Sequence, residues 1–316
     1  MSPPLDATIG WRVLITRTVK ETIADNCLGL SAELAYYYFL SVFPALLVVV
    51  ALTSVFPRNL LEQMLNWFAS FTPPDALEIV RAQIQLIAKS GHAGLLTFGA
   101  LGALWSSSSA MTATIDTLNR AYGIHEARSW WKVQVLAIVL TIIMSVFVLV
   151  AFTLVVAGPE LAEHVAGRFG LGRLSAWTWK ILQWPVIFLL ISEGFAFVYY
   201  LAPDAEQRWR WILPGAYLAT GLWLLISLGF RFYVTHFGQY NKMYGAIGGV
   251  IVMLLWFYLS GLVLLVGAEF NSEVEHASPY GKAEGEKVPG ERRGWLFRSR
   301  RHSGIGETPE PDRARP

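Results

Sequence analysis

The chain has 316 residues, of which 54% are hydrophobic and 15% charged, and its formal net charge at pH 7 is +2. Soluble domains usually carry about 25% charged residues, so this composition excludes an ordinary soluble protein and indicates an integral membrane protein. The single cysteine, Cys27, excludes an internal disulfide and a metal site built from several thiolates.

The first predicted element is an amphipathic helix over residues 10–25. One of its faces carries the apolar residues Trp11, Leu14, Ile15, Val19 and Ile23, while the charged residues lie elsewhere. This pattern is typical of helices that lie in the membrane interface. The helix is interpreted either as a membrane-sensing or gating element or, more simply, as an anchor.

Six apolar segments follow along the chain. A transmembrane helix needs about 20 mostly apolar residues, and six windows meet this requirement: residues 29–56, 92–114, 134–157, 177–201, 211–235 and 244–269. The predicted fold is therefore all-α, a polytopic membrane protein with six transmembrane helices. Residues 57–91, between the first two spans, are divided by Pro73 and Pro74 and are predicted to form an outer helical hairpin.

The distribution of positive charge predicts the orientation. Nine of the 25 Lys and Arg residues lie after residue 276, and positively charged segments favour the cytoplasmic side. Because the number of spans is even, both termini are predicted to be cytoplasmic. The tail also lacks the apolar content needed to fold. The predicted domains are a cytoplasmic N-terminus with the interfacial helix (1–28), a six-span membrane domain (29–276) and a disordered cytoplasmic tail (277–316).

Polar residues within the predicted spans are candidates for function, because a charge at the bilayer centre costs ~2.5–3.5 kcal/mol. Glu193 is the deepest of them. The topology also places in the cytoplasmic half Glu33, Glu269, Asn119 and the serine run Ser106, Ser107, Ser108 and Ser109. At the cytoplasmic surface follow the basic residues Arg120, Arg128 and Lys132. We therefore predict a polar cavity that opens to the cytoplasm.

Each of these candidates also has a structural interpretation. Serines in membrane helices let neighbouring backbones approach, or they bond back to a carbonyl one turn earlier. Since consecutive residues cannot share a helix face, only some of the four serines can line a cavity. Glu33 and Glu269 lie near the predicted interface, where water would solvate them.

Motifs of catalytic sites are missing from the sequence. It has no Walker-type phosphate loop, its six histidines form neither HxxxH nor HExxH, and no acidic cluster has the spacing of a two-metal nuclease. We therefore expect no enzyme activity, no catalytic residue, no metal and no cofactor.

Three blocks carry a resemblance to a known family: "LSAELAYYYFLSVFPALL" (30–47), "LNRAYG" (118–123) and "YNKMYGAIGGVIVMLLWFYLSGLVLLVGAEFN" (240–271). They resemble the YihY/BrkB family of bacterial inner-membrane proteins, formerly called ribonuclease BN. The resemblance implies a six-span helical fold in the bacterial inner membrane, cytoplasmic termini and an association with envelope lipids. It also highlights Asn241, Lys242 and Tyr244, which we interpret as an outer counterpart of the cavity.

Two functions from different classes fit these observations. The first is a transporter or translocase of a lipid-like or anionic amphipathic substrate, in which Arg120, Arg128 or Lys132 attracts phosphate and Glu193 couples movement to a proton or cation. The alternative is a non-transporting envelope scaffold or regulatory membrane protein. Membrane lipids are the expected partners, nucleic acid is not expected, and ribonuclease activity is the least supported function. The sequence does not define the substrate or the oligomeric state.

Overall fold

The computed structural model describes residues 10–53, 93–168, 172–237, 246–278, 281–282 and 286–288. Within these ranges the secondary structure is entirely helical, as predicted. The seven helices are α1 (Trp11–Ala24), α2 (Cys27–Thr53), α3 (Ala93–Ala121), α4 (Trp130–Arg168), α5 (Gly172–Leu201), α6 (Trp209–Phe237) and α7 (Ala246–His276). The predicted outer hairpin over 57–91 lies outside the described residues.

Four described segments are long and apolar enough to cross a membrane. They are Trp130–Val148 in α4, Gln183–Leu201 in α5, Trp209–Tyr233 in α6 and Gly248–His276 in α7. The prediction of a membrane protein is thereby supported. Helices α2 and α3 coincide with the first two predicted spans, and the count of six spans stays a prediction.

Two turns with left-handed backbone define where helices end near the site. Asn26 has φ 53° and separates α1 from α2, a conformation that asparagine tolerates better than most residues. Gly123 has φ 64° and follows α3. There the N–H of Ile124 donates to the carbonyl of Asn119 (2.7 Å) and that of Gly123 to the carbonyl of Arg120 (2.9 Å). This is a Schellman motif, and it directs the chain into the loop before α4.

The six long helices pack as a closed ring. Each contacts the next in chain order from α2 to α7, and α7 packs back against α2. Helix α7 also contacts α3, and α1 packs on α7 and α2. Because neighbouring helices alternate in direction, the beginnings of α2, α4 and α6 and the ends of α3, α5 and α7 meet beside α1. We call this the α1 end of the ring.

The buried core lies at the α1 end. Each ring helix contributes to it a side chain with no solvent exposure: Leu34, Leu118, Leu140, Tyr199, Ile212 and Leu265. Helix α1 joins a smaller cluster through Leu14, which packs with Phe270 and Val274 of α7, and the rings of Trp11 and Phe270 stack with centroids 6.4 Å apart. The placement of α1 in the membrane interface stays a prediction.

Candidate functional site

The loops at the α1 end hold a cluster of polar side chains, which we call the loop cluster: Asn119, Glu126, Arg128, Asp204 and Lys287. Asn119 lies two residues before the end of α3 and is only 2% exposed. Its Nδ2 donates to Glu126 Oε2 (2.8 Å), and its Oδ1 accepts from the backbone N–H of Asp204 (2.8 Å). This amide therefore joins the loop before α4 to the loop between α5 and α6.

Arg128 lies at the centre of the loop cluster. Its Nε donates to Glu126 Oε1 (2.8 Å) and its Nη2 to Glu126 Oε2 (2.6 Å), the bidentate geometry that guanidinium and carboxylate groups favour. The same Nη2 donates to the carbonyl of Ala202 (2.9 Å), and Nε lies 3.6 Å from Asp204 Oδ1. The guanidinium N–H groups of Arg128, which we expected to attract phosphate, therefore bond to groups of the protein itself.

Asp204 connects three parts of the chain. Its Oδ2 accepts from the backbone N–H of Ala127 (3.0 Å) and pairs with Lys287 Nζ, which lies beyond α7. The carboxylate is 19% exposed, so water screens these interactions only partly. Asp204 thereby ties the loop between α5 and α6 to the loop before α4 and to the start of the tail.

These contacts shift the ionisation of the loop cluster. Burial raises the pKa of Glu126, but hydrogen bonds from Arg128 and Asn119 outweigh it, so the pKa lies below its ordinary value. The pKa of Asp204 is also lowered, since the bonds from Lys287 and Ala127 outweigh burial. The hydrogen bond to Glu126 raises the pKa of Arg128. The cluster is therefore held in its charged form at neutral pH.

A second buried polar group lies on α7. Asn271 is 1% exposed, its Oδ1 accepts from the N–H of Gly215 (2.7 Å), and its Nδ2 donates to the carbonyl of Ile212 (3.0 Å). Its Nδ2 also lies 3.4 Å from the hydroxyl of Tyr122. Asn271 thus fixes α7 against α6 and the end of α3.

Glu269 is placed between α7 and the start of α2. It is 2% exposed, and the thiol of Cys27 donates to its Oε1 at a distance of 3.4 Å. Three further carboxylates, Asp25, Glu21 and Glu273, interact with it electrostatically. Glu269 is therefore a packed group at the α1 end, in contrast to the solvated interfacial residue that the sequence allowed.

The serine run divides between two surfaces of α3. Ser107 and Ser108 are buried, and Ser106 and Ser109 are exposed. Ser107 Oγ donates to the carbonyl of Leu104 (3.1 Å) and Ser108 Oγ to that of Trp105 (2.6 Å). Ser108 also accepts from Gln134 Nε2 of α4 (2.7 Å). The expected back-bonding and interhelical contact are present here, and the lining of a cavity stays a prediction.

Glu193 lies on α5, eight residues before the end of the helix at Leu201, which is ~12 Å at helical rise. Leu189 and Tyr200, four residues before it and seven after it, share its helix face and are 50% and 39% exposed. Among the described residues, Glu193 has no hydrogen bond or ion pair.

The flanks of α5 show which way this face points. Gly194 lies beside Phe147 of α4, and on the other flank Ser192 Oγ donates to Thr220 Oγ1 of α6 (2.9 Å). Glu193 lies between these contacts and is itself half-buried, while Ala196, three residues further along, is fully buried. Glu193 therefore lies on the partly exposed side of α5, at the edge of the surface formed by Leu189 and Tyr200.

The remaining predicted residues are dispersed. Arg120 pairs with Asp116 (2.7 Å), with the two side chains 56% and 47% exposed, and Lys132 is exposed with its Nζ 5.6 Å from the ring centre of Trp131. Glu33 is half-buried on α2. The predicted outer group of Asn241, Lys242 and Tyr244 lies outside the described residues.

Sequence reasoning missed Glu126 and Asp204 as site residues, and it assigned no role to Asn271, which the family resemblance highlights. Glu126 and Asp204 belong to loops, where neither hydropathy nor helical spacing signals a contact between distant segments. Asn271 had a signal, because an amide near the end of an apolar span must find partners inside the protein. No group of three or more His, Cys, Asp or Glu side chains in the described ranges has an arrangement that would hold a metal.

The regular secondary structure of the described residues is helical, and four segments are long and apolar enough to cross a membrane, which together define an integral membrane protein. A family model for virulence factor BrkB matches residues 18–291, and the chain belongs to that family. It is 37% identical to the ribonuclease-like protein YfkH of Bacillus subtilis over 242 residues, which cover 77% of this chain and 88% of the relative. No solved structure matches the chain.

Two further relatives are described only as membrane proteins. The UPF0761 membrane protein of Tolumonas auensis is 30% identical over 259 residues, covering 78% of this chain and 80% of the relative. The UPF0761 membrane protein PSHAa0171 of Pseudoalteromonas translucida is 28% identical over 278 residues, covering 83% of this chain and 84% of the relative. These similarities extend over most of both chains.

Proposed function

We propose that this protein is a six-span transporter or translocase of a lipid-like or anionic amphipathic substrate in the bacterial inner membrane, with both termini in the cytoplasm. The topology draws on the four apolar spans and on α2 and α3, which occupy the first two predicted windows. The proposal includes no catalytic residue, cofactor or nucleic-acid partner.

The observation that carries the proposal is the position of Glu193. A carboxyl within a membrane-spanning helix is costly and usually faces protein or water. Glu193 is half-buried beside the exposed side chains of Leu189 and Tyr200, without a polar partner among the described residues. A substrate that travels in the bilayer with its headgroup against the protein would reach this carboxyl from the lipid side.

The basic residues fit the same route. Arg120 and Lys132 are exposed at the α1 end, where they would attract a phosphate at the membrane surface. Arg128 takes no part in this step, because Glu126 and Ala202 occupy its donors. The predicted cavity open to the cytoplasm is also left out of the proposal, since Asn119, Glu269 and Ser108 have partners within the protein.

The test is movement of a headgroup-labelled anionic phospholipid in proteoliposomes. Glu193→Gln keeps the size and removes the charge, and we expect it to abolish movement while leaving the folded fraction unchanged. Glu206→Gln, an exposed carboxyl in the loop between α5 and α6, is the matched control and should move lipid like the wild type. Wild-type movement by Glu193→Gln would remove this residue from the mechanism.

The scaffold function is the second candidate, and it is favoured by the docking of the start of the tail on the ring. A truncation at 276 would also remove Lys282 and Lys287, which contact the loops. A truncation that removes only 289–316 therefore distinguishes the two functions. A scaffold that docks partners through its tail should lose its function, whereas a transporter should keep it.

A further inference from the structure

The chain after α7 folds back on the ring. The N–H of Ala277 donates to the carbonyl of Glu273 (3.0 Å), and that of Gly281 to the carbonyl of Ser278 (3.1 Å). Gly281 approaches α7 so closely that a Cβ at this position would overlap the carbonyl of Glu275. The close approach requires glycine and directs the following residues toward the loop between α5 and α6.

Lys282 enters a buried polar site on this path. Its side chain is 4% exposed, and its Nζ lies 3.6 Å from Glu275 Oε2, a carboxylate that is 8% exposed. The same Nζ donates to the carbonyl of Glu206 (3.0 Å). Lysine is almost never fully buried unless it is paired, so this contact fixes the chain to both α7 and the loop.

Lys287 makes the second attachment. Its Nζ pairs with Asp204, and its carbonyl accepts from the backbone N–H of Glu206 (3.0 Å). Because Asp204 also accepts from Ala127 and lies beside Arg128, this attachment extends to the loop before α4. The match to the family model ends at residue 291, so it includes both lysines.

We propose that residues 281–282 and 286–288 form an electrostatic strap, which holds the loop between α5 and α6 against the end of α7 and which opens the α1 end of the ring when it detaches. The attachments are two lysine–carboxylate pairs and backbone bonds at both ends. The pair of Lys287 and Asp204 is partly exposed, at 24% and 19%, so salt weakens it, whereas the buried Lys282 keeps the strap in register. The strap does not depend on the proposed transport function.

Hydrogen exchange of the full-length protein in lipid nanodiscs tests the strap. In Lys287→Gln, amide exchange in the peptide over residues 202–208 should rise on the order of tenfold, since this loop would then open locally. Raising the NaCl concentration from 0.1 to 1 M should produce the same change in the wild type, because the Debye length falls from about 10 Å to about 3 Å. Lys287→Arg should retain the protection.

Matched variants distinguish the effect of detaching the strap from the effect of a general loss of stability. Lys132→Gln removes an exposed lysine at the start of α4 and should leave the exchange over 202–208 unchanged, and the peptides of α7 around Leu265 should stay protected in every variant. The proposal would be overturned if, at 0.1 M NaCl, the peptide over 202–208 exchanged no faster in Lys287→Gln than in the wild type.

A covalent lock gives a second, independent test. Glu206 and Lys287 are neighbours through a backbone hydrogen bond, so Glu206→Cys with Lys287→Cys, in a Cys27→Ser background, should form a disulfide on oxidation. The oxidised protein should recover the protection over 202–208, and reduction should remove it. Equal exchange in the oxidised and reduced protein would show that attachment of residue 287 does not hold the loop, and the proposal would fail.

Discussion

Arg128 provides the sharpest test of whether the loop cluster is structural. Its guanidinium makes two charge-assisted hydrogen bonds to Glu126 and one bond to the carbonyl of Ala202, with a side chain that is 20% exposed. Arg128→Ala would remove all of these donors and leave the carboxylates of Glu126 and Asp204 close together. Charge-assisted bonds of partly buried groups contribute about 1.5–3 kcal/mol. After allowing for the residual exposure, we expect a loss of about 2–3 kcal/mol in the free energy of unfolding.

The control for this prediction is Arg120→Ala. Arg120 pairs with Asp116 one turn earlier on α3, and both side chains are about half exposed, so the pair contributes only about 0.3–0.5 kcal/mol. The measurement is the free energy of unfolding in mixed micelles with increasing SDS, and Arg128→Lys should fall between the wild type and Arg128→Ala. If Arg128→Ala costs no more than Arg120→Ala, the cluster is not structural, and Arg128 returns as a candidate for binding phosphate.

Two further predictions concern acid stability and the core. The folded pKa values of Glu126 and Asp204 are lowered, so the contribution of these carboxylates to the free energy of unfolding is complete above about pH 5 and is lost as the pH falls below about 4. In SDS unfolding, the stability difference between wild type and Glu126→Gln should therefore shrink over this range. A constant difference would contradict the role of the charged Glu126 in the loop cluster. A Cβ on Gly267 would overlap the Tyr199 hydroxyl, so Gly267→Ala should lower the free energy of unfolding by about 1–3 kcal/mol. Gly221→Ala places its Cβ where nothing lies within 4 Å, so it should raise the free energy of unfolding by up to about 1 kcal/mol. Thermal unfolding in detergent compares the two variants, and equal stabilities would refute the close packing of Gly267 against Tyr199.

Hydropathy predicted where the long helices lie but not where they end. The second window, 92–114, corresponds to α3 over Ala93–Ala121, and the third, 134–157, corresponds to α4 over Trp130–Arg168. An apolar window reports which residues suit hydrocarbon, and helices continue past it through polar turns until a cap stops them. At α3 the cap is the turn at Gly123, which also brings Asn119 and Glu126 together.

The sequence predicted how far along its helix Glu193 lies, but it did not predict which side of the helix faces the neighbouring helices. Sequence position alone gives the depth of Glu193 along its helix, whereas the rotation of the helix depends on what packs against α5. Gly194 and Ser192 bring α4 and α6 to the two flanks, and that leaves Glu193 half-buried between them. The partners of Arg128 were equally hidden, because Asp204 and Ala202 are more than seventy residues away along the chain.

The distribution of hydrogen bonds separates residues that hold the structure from residues that remain available. At the α1 end, Asn119, Arg128 and Asn271 already have partners in the protein, so a substrate headgroup could enter there only by replacing one of them, at the cost of leaving a buried group unpaired. Arg120 and Lys132 are exposed and Glu193 of α5 is only half-buried, so they carry no such constraint. A route for a lipid-like substrate therefore fits the outside of the ring better than its interior, and along that route the membrane itself would supply the apolar environment for the acyl chains.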